Sequence, residues 1–355
     1  MKALEGKRVL ITGGTGSLGK VLVKRILSGE MGQPAKLIVF SRDEAKQHFM
    51  RVEYEQRLSA TDEIIYHNFQ RLLEFWIGDV RDAQSLASAL RDADIVVNAA
   101  AMKQVPTCEY FPFEAVRTNV EGAENIVRAI QTQHLPVETV VGVSTDKACK
   151  PVNTMGMTKA IQERIFIQGN MRCRGTRFVC VRYGNVLASR GSVIPLFHEQ
   201  IRTGGPVTIT TREMTRFLLR LDEAVDTVFG AITLAEPGDT MVPRAKAARI
   251  VDVAAALIGN RPVKQVMTGI RPGEKIHEIM VSEEEASRTV ERGGKWYAIR
   301  PMLPEVGGDP TGSGCLTKEY SSADEVMTAA ETAKLLKDCR LLLEDIAREQ
   351  GELLR

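Results

Sequence analysis

The sequence predicts an α/β fold in which a doubly wound parallel sheet is followed by a smaller C-terminal lobe. Two observations predict it. Over the first 150 residues, short apolar runs alternate with amphipathic segments of helical length, which is typical of consecutive βαβ units. A glycine-rich turn also joins the first apolar run to the first helical segment.

Each predicted strand is a short apolar run, as expected for parallel strands that are covered on both faces. The predicted strands span residues 8–12, 36–40, 73–77, 95–99, 139–144, 177–182 and 206–210. The segments between them repeat apolar residues at helical spacing. The predicted helices span residues 17–27, 44–58, 83–90, 112–131 and 154–169.

Beyond about residue 190 the alternation weakens, and proline and glycine interrupt shorter elements. We therefore expect the main domain over residues 1–190, with its sheet completed by later segments, and a smaller lobe over 191–305. Residues 306–355 begin with a proline- and glycine-rich stretch and end in a charged helix, predicted over 323–348 with Ser322 as its cap.

The composition excludes several classes of protein. The 355 residues carry 47 Lys and Arg against 45 Asp and Glu, so the net charge gives no reason to expect nucleic acid or an anionic membrane surface as a partner. No apolar run approaches the ~18–20 residues that span a membrane, and the charged N-terminus is unlike a secretory signal. The cysteines and histidines are scattered, so we expect free thiols in a reducing cytoplasm and no metal site.

The glycine-rich turn spans residues 12–19, with the sequence TGGTGSLG. Glycines between a strand and a helix allow a tight turn, a close approach of the backbone to a pyrophosphate, and close packing of helix on strand. The N-terminus of the helix then presents N–H groups to the phosphates. This context predicts a Rossmann-like dinucleotide site, whose residues here are Thr12, Gly13, Thr15, Gly16, Ser17, Leu18 and Gly19.

The second predicted strand ends at residues that bear on the choice of cofactor. An acid at the strand tip favours NAD by accepting a hydrogen bond from the ribose diol, whereas Ser41, Arg42 and Lys46 offer donors suited to a 2′-phosphate. We therefore predict NADP, while Asp43 keeps NAD open. The residues expected beside the adenine follow the third strand and are Asp79 and Val80.

A set of short motifs resembles known enzymes. The turn at residues 12–19, GDV at 78–80 and NAAA at 98–101 resemble the extended short-chain dehydrogenase/reductase superfamily. Further motifs are similar to those of bacterial nucleotide-sugar 4,6-dehydratases, and in particular of the UDP-N-acetylglucosamine 4,6-dehydratases of polysaccharide and protein-glycan biosynthesis. These motifs are AMKQVP at 101–106, STDKA at 144–148, RYGNV at 182–186, MTRF at 214–217 and RPGEK at 271–275. The resemblance covers about residues 7–300 and leaves out the tail after about residue 305.

The resemblance implies an internal redox cycle on the sugar. The C4 hydroxyl is oxidised by hydride transfer to a nicotinamide, and the resulting ketone acidifies the C5 proton. A base removes that proton, and the C6 hydroxyl leaves as water with help from an acid. The hydride then returns to C6, so no external reductant is consumed.

Asp146 and Lys147 are adjacent at the end of a predicted strand, where ligands of open α/β sheets sit. A carboxyl group and an amine can divide acid and base work when their surroundings separate their pKa values. By resemblance, Asp146 is the acid towards the C6 hydroxyl, Lys147 is the base at C5, and Thr145 binds the sugar O4 or orients the site. Because only a neutral amine is a base, we expect burial or the nearby Lys159 and Lys103 to lower the pKa of Lys147.

One position departs from the superfamily pattern. Where Tyr-x-x-x-Lys is expected, the chain has Met155 and Lys159, which the i, i+4 spacing places on one face of a helix. A thioether has no acidic proton, so Met155 cannot take the proton of the C4 hydroxyl, although Lys159 can still bind the nicotinamide ribose. Two readings stay open: a dehydratase in which Asp146, Lys147 or a water does this proton work, or a degenerate protein that binds the cofactor without oxidising C4.

The resemblance and the residue chemistry also assign binding contacts. The further cofactor-binding residues are Ala99, Ala100, Ala101, Lys159, Tyr183 and Asn185. Arginine offers fork-shaped donors to phosphate, and glutamate accepts from a ribose diol. The expected substrate-binding residues are Lys103, Asn185, Val193, Phe197, Arg216, Arg271 and Glu274.

The predicted activity is NADP-dependent dehydration of a nucleotide-activated N-acetylhexosamine, with UDP-N-acetylglucosamine as the preferred substrate. The alternatives are a 4-epimerase, a dehydratase for a GDP-linked sugar, and a catalytically inert cofactor-binding protein. The Asp146–Lys147 pair counts against an epimerase, which needs no base at C5.

Some family members carry membrane helices before the catalytic unit, and we expect none here because the first predicted strand begins near residue 8. By analogy we expect a homo-oligomer, a dimer or a hexamer, with helices 112–131 and 154–169 at the interface.

Overall fold

The structure is a computed structural model that describes residues 2–55, 63–187, 192–307 and 314–345. Its strands are β1 (Arg8–Thr12), β2 (Lys36–Ser41), β3 (Leu73–Ile77), β4 (Ile95–Asn98), β5 (Thr139–Val143), β6 (Arg177–Val181), β7 (Asn185–Val186), β8 (Val207–Ile209), β9 (Thr215–Leu219), β10 (Thr240–Pro243), β11 (Ala247–Arg249), β12 (Gln265–Met267), β13 (Ile279–Val281), β14 (Thr289–Arg292), β15 (Trp296–Ile299) and β16 (Tyr320–Ser321). Its α-helices are α1 (Ser17–Leu27), α2 (Glu44–Glu55), α3 (Glu63–Leu72), α4 (Ala83–Leu90), α5 (Val105–Tyr110), α6 (Pro112–Ala115), α7 (Gly122–Gln133), α8 (Thr154–Arg172), α9 (Val193–Arg202), α10 (Leu221–Leu234), α11 (Ile250–Ile258), α12 (Glu283–Ala286) and α13 (Ala329–Asp338).

The central sheet has nine strands in the order β14-β15-β10-β6-β5-β4-β1-β2-β3. Strand β1 pairs in parallel with both β2 and β4, so the chain winds outward in both directions from β1. Strand β10 continues the parallel part beside β6, and β15 and β14 close that edge in antiparallel pairing. The doubly wound, Rossmann-like prediction is confirmed, and the crevice of such a sheet opens at the carboxyl ends of β1 and β4.

Each face of the sheet has its own apolar core, because side chains alternate along a strand. On one face, Val9 and Ile11 of β1 join a cluster with residues of α1 and α10. On the other face, Leu10 joins a cluster with residues of α4, α7 and α8. Two faces covered by helices explain why the parallel strands read as continuous apolar runs.

A third apolar cluster lies outside the sheet and joins helices α9, α11 and α13, with residues such as Ile194, Leu257 and Leu336. Helix α13 therefore packs into the core of the smaller lobe, whereas the sequence places it in a separate C-terminal segment. The predicted domain boundary at residue 190 lies outside the described residues. Within the described ranges, no helix has both the length and the apolarity of a membrane span.

The main differences from the predicted elements have local causes. The helix predicted over 112–131 is α6 and α7 joined by a π-helical turn, Val116–Glu121. The helix predicted over 323–348 begins only at Ala329, because Thr328 and Glu331 form a capping box there. Ser322 is fully buried and does not cap it. Helix α2 ends at Glu55 within the described residues, and residues 56–58 and 346–348 of the two predicted helices lie outside them.

Candidate active site

The glycine turn between β1 and α1 is packed too closely for side chains. Gly13 has a φ of +66°, and a Cβ there would lie 2.8 Å from the Cα of Ala100. A Cβ on Gly19 would lie 2.5 Å from Gly14. Helix α1 begins after Gly16 with no capping side chain and no acid in its first turn. Its positive end is therefore uncompensated by the protein, which fits the pyrophosphate of a dinucleotide.

Thr12 ties this turn to the loop after β4. Its Oγ1 donates to Oδ1 of Asn98 at 2.7 Å and accepts from the backbone N–H of Ala100 at 3.2 Å. The predicted contacts Ala99, Ala100 and Ala101 consequently start beside the glycine turn, at the point where the strand order reverses. This is where an open α/β sheet binds its ligand.

The residues predicted for the adenosine end lie around the tip of β2. The Arg42 side chain is 62% exposed and its Nη1 is 3.6 Å from Oδ2 of Asp79. Lys46 forms an ion pair with Asp43, the acid because of which NAD was retained as an alternative cofactor. The Ser41 hydroxyl is 3.0 Å from that of Thr15. The tip of β2 therefore carries an exposed guanidinium, and its acid Asp43 is paired with Lys46.

The two residues predicted to lie beside the adenine differ in burial and in their neighbours. Val80 is buried in the core cluster beneath α4 and α7, so its side chain does not line a binding surface. Asp79 is partly buried, which opposes its ionisation, but hydrogen bonds from Arg81 outweigh this and lower the pKa of Asp79. Asp79 is thus held as a carboxylate by Arg81 at 2.7 Å.

The proposed catalytic residues begin where β5 ends. Thr145 caps a 3₁₀ turn, Asp146–Ala148, and its Oγ1 donates to Oδ1 of Asp146 at 2.9 Å. Asp146 is fully buried, and among the described residues its Oδ2 has no hydrogen-bond partner. A carboxyl oxygen of this kind can accept a hydrogen bond or a proton from a bound molecule.

Lys147 lies among three acceptors. Its Nζ is 3.0 Å from Oδ1 of Asp146, 3.3 Å from Oδ1 of Asn185 and 3.3 Å from Oε1 of Glu278. Burial by itself would lower the pKa of Lys147, but the two carboxylates outweigh it and raise that pKa, with Arg216 opposing them. The expectation of a lowered pKa is therefore wrong for the ligand-free chain, and neither Lys159 nor Lys103 is a cause.

Glu278 was not singled out from the sequence. It is 2% exposed, its Oε1 is also 3.7 Å from Nε of Arg216, and its Oε2 has no hydrogen-bond partner among the described residues. It follows the RPGEK motif by only three positions, but no local signal distinguishes it from a surface acid. Only the fold brings it to Lys147.

Met155 and Lys159 lie on α8, as the spacing predicts. Met155 packs into a small apolar cluster with Cys108 and Ala115. Lys159 is buried, and its Nζ donates to Oε1 of Gln162 at 2.6 Å. Burial lowers the pKa of Lys159 to about 8, and the carboxylate of Glu163 offsets this only in part.

Lys159→Met is expected to stabilise the protein at pH 7. The lowered pKa of Lys159 corresponds to a folding cost on the order of 3 kcal/mol. That cost is fully present below pH 8 and fades between about 8 and 10.5, where the folded lysine is neutral and the unfolded lysine is still charged. Chemical denaturation of both proteins should give a gap in unfolding free energy that is wide at pH 7 and narrow at pH 10. An equal gap at both pH values would contradict this account.

Asn119, in the π-helical turn, is a second residue that sequence reasoning missed. It is fully buried, and its amide both accepts from the backbone N–H of Met102 at 2.9 Å and donates to the Met102 carbonyl at 3.0 Å. It also donates to Oγ1 of Thr158 at 3.0 Å. Asn119 thereby fixes the loop after β4 against helix α8, and an unusual π-turn in a functional region is the structural signal for it.

The residues predicted to bind substrate differ in how accessible their side chains are, and two of them are buried. Arg216 is buried, and its guanidinium donates to the carbonyl oxygens of Thr215, Ile276 and Lys275. Phe197 is 1% exposed in the core of the smaller lobe, so it presents no wall to a ligand.

The other predicted substrate contacts are more accessible. Glu274 is half-buried and accepts from Oγ1 of Thr210 at 3.2 Å. Tyr183, which was predicted to contact the cofactor, is instead buried, which raises the pKa of its phenol, and its carbonyl accepts from the backbone N–H of Asp146 at 3.1 Å. The remaining predicted contacts are half-buried or exposed side chains: Val193, Asn185, Lys103 and Arg271.

Comparison with known proteins adds to this geometry. Residues 9–300 match the family model described as "Polysaccharide biosynthesis protein". A UDP-glucose 4-epimerase of Rickettsia bellii (strain OSU 85-389) is 44% identical over 83% of each chain. A UDP-N-acetylglucosamine 4,6-dehydratase (inverting) of Campylobacter jejuni (serotype O:2) is 40% identical over 85% of each chain. The X-ray structure of Pen from Bacillus thuringiensis superposes with a TM-score of 0.83 at 30% identity, covering 94% of this chain and 98% of that one.

Proposed function

The chain belongs to the polysaccharide biosynthesis protein family, and from that premise we propose that it is an NADP-dependent nucleotide-sugar 4,6-dehydratase that acts on UDP-N-acetylglucosamine. The observation that carries the proposal is the contact between Asp146 and Lys147 at the carboxyl end of β5, on the same edge of the sheet as the glycine turn. The name of the Campylobacter jejuni relative supports the substrate. When bound, the nicotinamide accepts a hydride from C4 and supplies it to C6.

The chain's own residues handle two protons during this reaction. Thr145 is the natural contact for the sugar O4, because its hydroxyl already donates to Asp146 at 2.9 Å. The proton that leaves O4 during oxidation thus has a two-step route to Asp146, which becomes a carboxylic acid. That acid then protonates the departing O6. Lys147, once neutral, removes the proton from C5 and later returns one to it.

This route also accounts for Met155. The missing phenol is not needed if Thr145 and Asp146 take the O4 proton, and Met155 fills an apolar cluster with Cys108 and Ala115 instead. We therefore propose the active dehydratase over the degenerate binding protein. Lys159, five per cent exposed on the same helix, remains the proposed contact to the nicotinamide ribose.

A 4-epimerase is the second candidate, because relatives from Rickettsia carry that name at 44% identity. An epimerase oxidises C4 and returns the hydride to the same carbon, so it needs neither a base at C5 nor an acid at O6. An adjacent carboxyl and amine with a hydrogen-bonded hydroxyl supply both. For this reason we prefer the dehydratase.

The remaining assignments are proposals on the same basis. Residues 1–190 bind the cofactor, and the lobe over 191–305, with α13, binds the sugar nucleotide. The exposed apolar side chains of Tyr110, Phe113, Met157 and Ile161 lie on α5, α6 and α8. We propose that this surface forms the contact of a homo-oligomer, because such a patch is costly to leave in water.

The function is tested by offering purified protein and NADP a set of sugar nucleotides in heavy water and reading the products by NMR. The proposal expects UDP-N-acetylglucosamine to give a 4-keto sugar with a C6 methyl group and deuterium at C5. A C4 epimer without deuterium at C5 would establish the epimerase instead. Binding of the sugar nucleotide without any product would show that the protein is catalytically inert. Preference for a GDP-linked sugar would replace UDP-N-acetylglucosamine as the assigned substrate.

Arg42→Ala is expected to weaken NADP binding about tenfold or more and to leave NAD binding unchanged, because only NADP has a 2′-phosphate for the exposed guanidinium. Titration of both cofactors by calorimetry measures this. Arg42→Lys is the matched control, since it keeps the charge and should retain part of the preference. Equal losses for NADP and NAD would contradict the NADP assignment.

A further inference from the structure

The ammonium group of Lys147 donates hydrogen bonds to Asp146 and Asn185 and forms an ion pair with Glu278. An ammonium group has three N–H bonds and no lone pair, and the Nζ of Lys147 lies within 3.3 Å of three acceptor oxygens, on Asp146, Asn185 and Glu278. Before Lys147 can take a proton from C5, it has to give one away. The structure therefore raises the question of which neighbour receives that proton.

Two of the three acceptors are excluded in turn. The amide oxygen of Asn185 is not basic enough to hold a proton near neutral pH. In the proposed reaction Asp146 holds the O4 proton until O6 has left. During that interval Asp146 already carries a proton, so of these three acceptors only Glu278 can take one from Lys147.

The setting of Glu278 suits this task. The residue is 2% exposed, and its Oε1 faces Nζ of Lys147 at 3.3 Å. Its other oxygen, Oε2, is buried without a hydrogen-bond partner among the described residues. A carboxylate can take up a proton and become a neutral acid, so Glu278 has the chemistry to receive one from the neighbouring Lys147. The Nε of Arg216 lies 3.7 Å from the same Oε1 and is a second positive charge beside this carboxyl group.

We infer that Glu278 takes the spare proton of Lys147 and returns it after C5 has been reprotonated, and this inference rests on the proposed dehydratase function. Three protons then move, in balanced steps. The O4 proton passes through Thr145 to Asp146 and leaves with O6 as water. The Lys147 proton passes to Glu278. Neutral Lys147 takes the C5 proton, delivers one of its exchangeable protons to C5 after hydride has reached C6, and is recharged by the proton held on Glu278. Glu278 touches no substrate atom and acts through Lys147.

The inference is tested with Glu278→Gln and Glu278→Asp. Glutamine keeps an oxygen that accepts from Lys147 but cannot take its proton. We expect kcat to fall about a hundredfold, with KM and cofactor affinity unchanged. We also expect the rate of the Gln variant to rise more steeply with pH than that of the wild type, because solvent hydroxide then removes the proton. Glu278→Asp should recover part of the rate.

Glu285→Gln is the control for loss of a buried carboxylate, since Glu285 binds Arg182 at 2.7 Å rather than Lys147. The pH profile of the Glu285→Gln variant should match that of the wild type.

Two results would overturn the role of Glu278. One is a Gln variant with the wild-type rate. The other is a Gln variant whose pH profile moves to lower pH, as expected if Glu278 merely attracts the ammonium charge and its removal makes Lys147 easier to deprotonate. Failure of the proposed function is a separate result, because the wild-type protein would then give no dehydrated product from any sugar nucleotide.

Discussion

Lys147→Ala is expected to abolish dehydration while cofactor binding survives. The reaction needs a base at C5, and Lys147 is the amine beside the acid Asp146 at 3.0 Å. Loss of a positioned base costs roughly 10²–10⁴-fold in rate. Steady-state kinetics with the sugar nucleotide, together with a cofactor titration, measure the two effects separately.

Two further substitutions make this test specific. Lys147→Arg keeps a positive charge beside Asp146 and Glu278 but cannot be deprotonated in a protein, so it should be folded and inactive. Lys150→Ala removes a lysine three positions along the chain, which pairs with Glu319 on the surface, and should be fully active. A Lys147→Ala or Lys147→Arg protein with near-normal turnover would refute the base assignment.

Gly156→Ala is expected to cost about a hundredfold in kcat and to destabilise the protein. Gly156 lies in the first turn of α8, and a Cβ there would be 2.2 Å from the carbonyl oxygen of Lys147. Normal carbon–oxygen contacts begin near 3.3 Å, so the turn that carries Asp146 and Lys147 must move by about 1 Å. A displacement of that size at a catalytic group costs about 10²-fold.

The sign of the Gly156→Ala effect is informative, because alanine in a helix is intrinsically better than glycine by about 1 kcal/mol. Any loss of stability therefore reports the collision with Lys147. Gly175→Ala is the matched control, since a Cβ at Gly175 meets nothing within 4 Å. Thermal unfolding and steady-state kinetics of both variants measure the changes in stability and in kcat. A Gly156→Ala protein that is more stable and equally active would show that α8 does not press on the catalytic turn.

Local signals predicted much of the sheet. Strand β1 and helix α1 have the predicted bounds. Their signals are an apolar run, a glycine turn and a helical repeat, and each of these depends only on residues that are adjacent in the sequence. The late start of α13 was also predictable from the Thr328–Glu331 capping box. The π-helical turn was not, since the buried Asn119 amide that it carries binds Met102, which lies outside the turn.

The site was predictable in its motifs but not in its electrostatics. The sequence places Asp146 beside Lys147, but the charge that decides the protonation of Lys147 includes Glu278, which only tertiary structure brings near. Residue type likewise suggested Phe197 and Arg216 as ligands, whereas packing places one in a core and the other against backbone carbonyls. Burial and distant partners are properties of the fold, and a single sequence does not state them.

The most direct test of the proposed reaction follows one hydrogen atom. UDP-N-acetylglucosamine carrying deuterium at C4 is incubated with the enzyme and NADP, and the position of the label in the product is read by NMR and mass spectrometry. The account predicts that deuterium moves from C4 to the C6 methyl group of a 4-keto product, without loss to the medium. Deuterium found back on C4 of an epimerised sugar, or released from the sugar altogether, would contradict it.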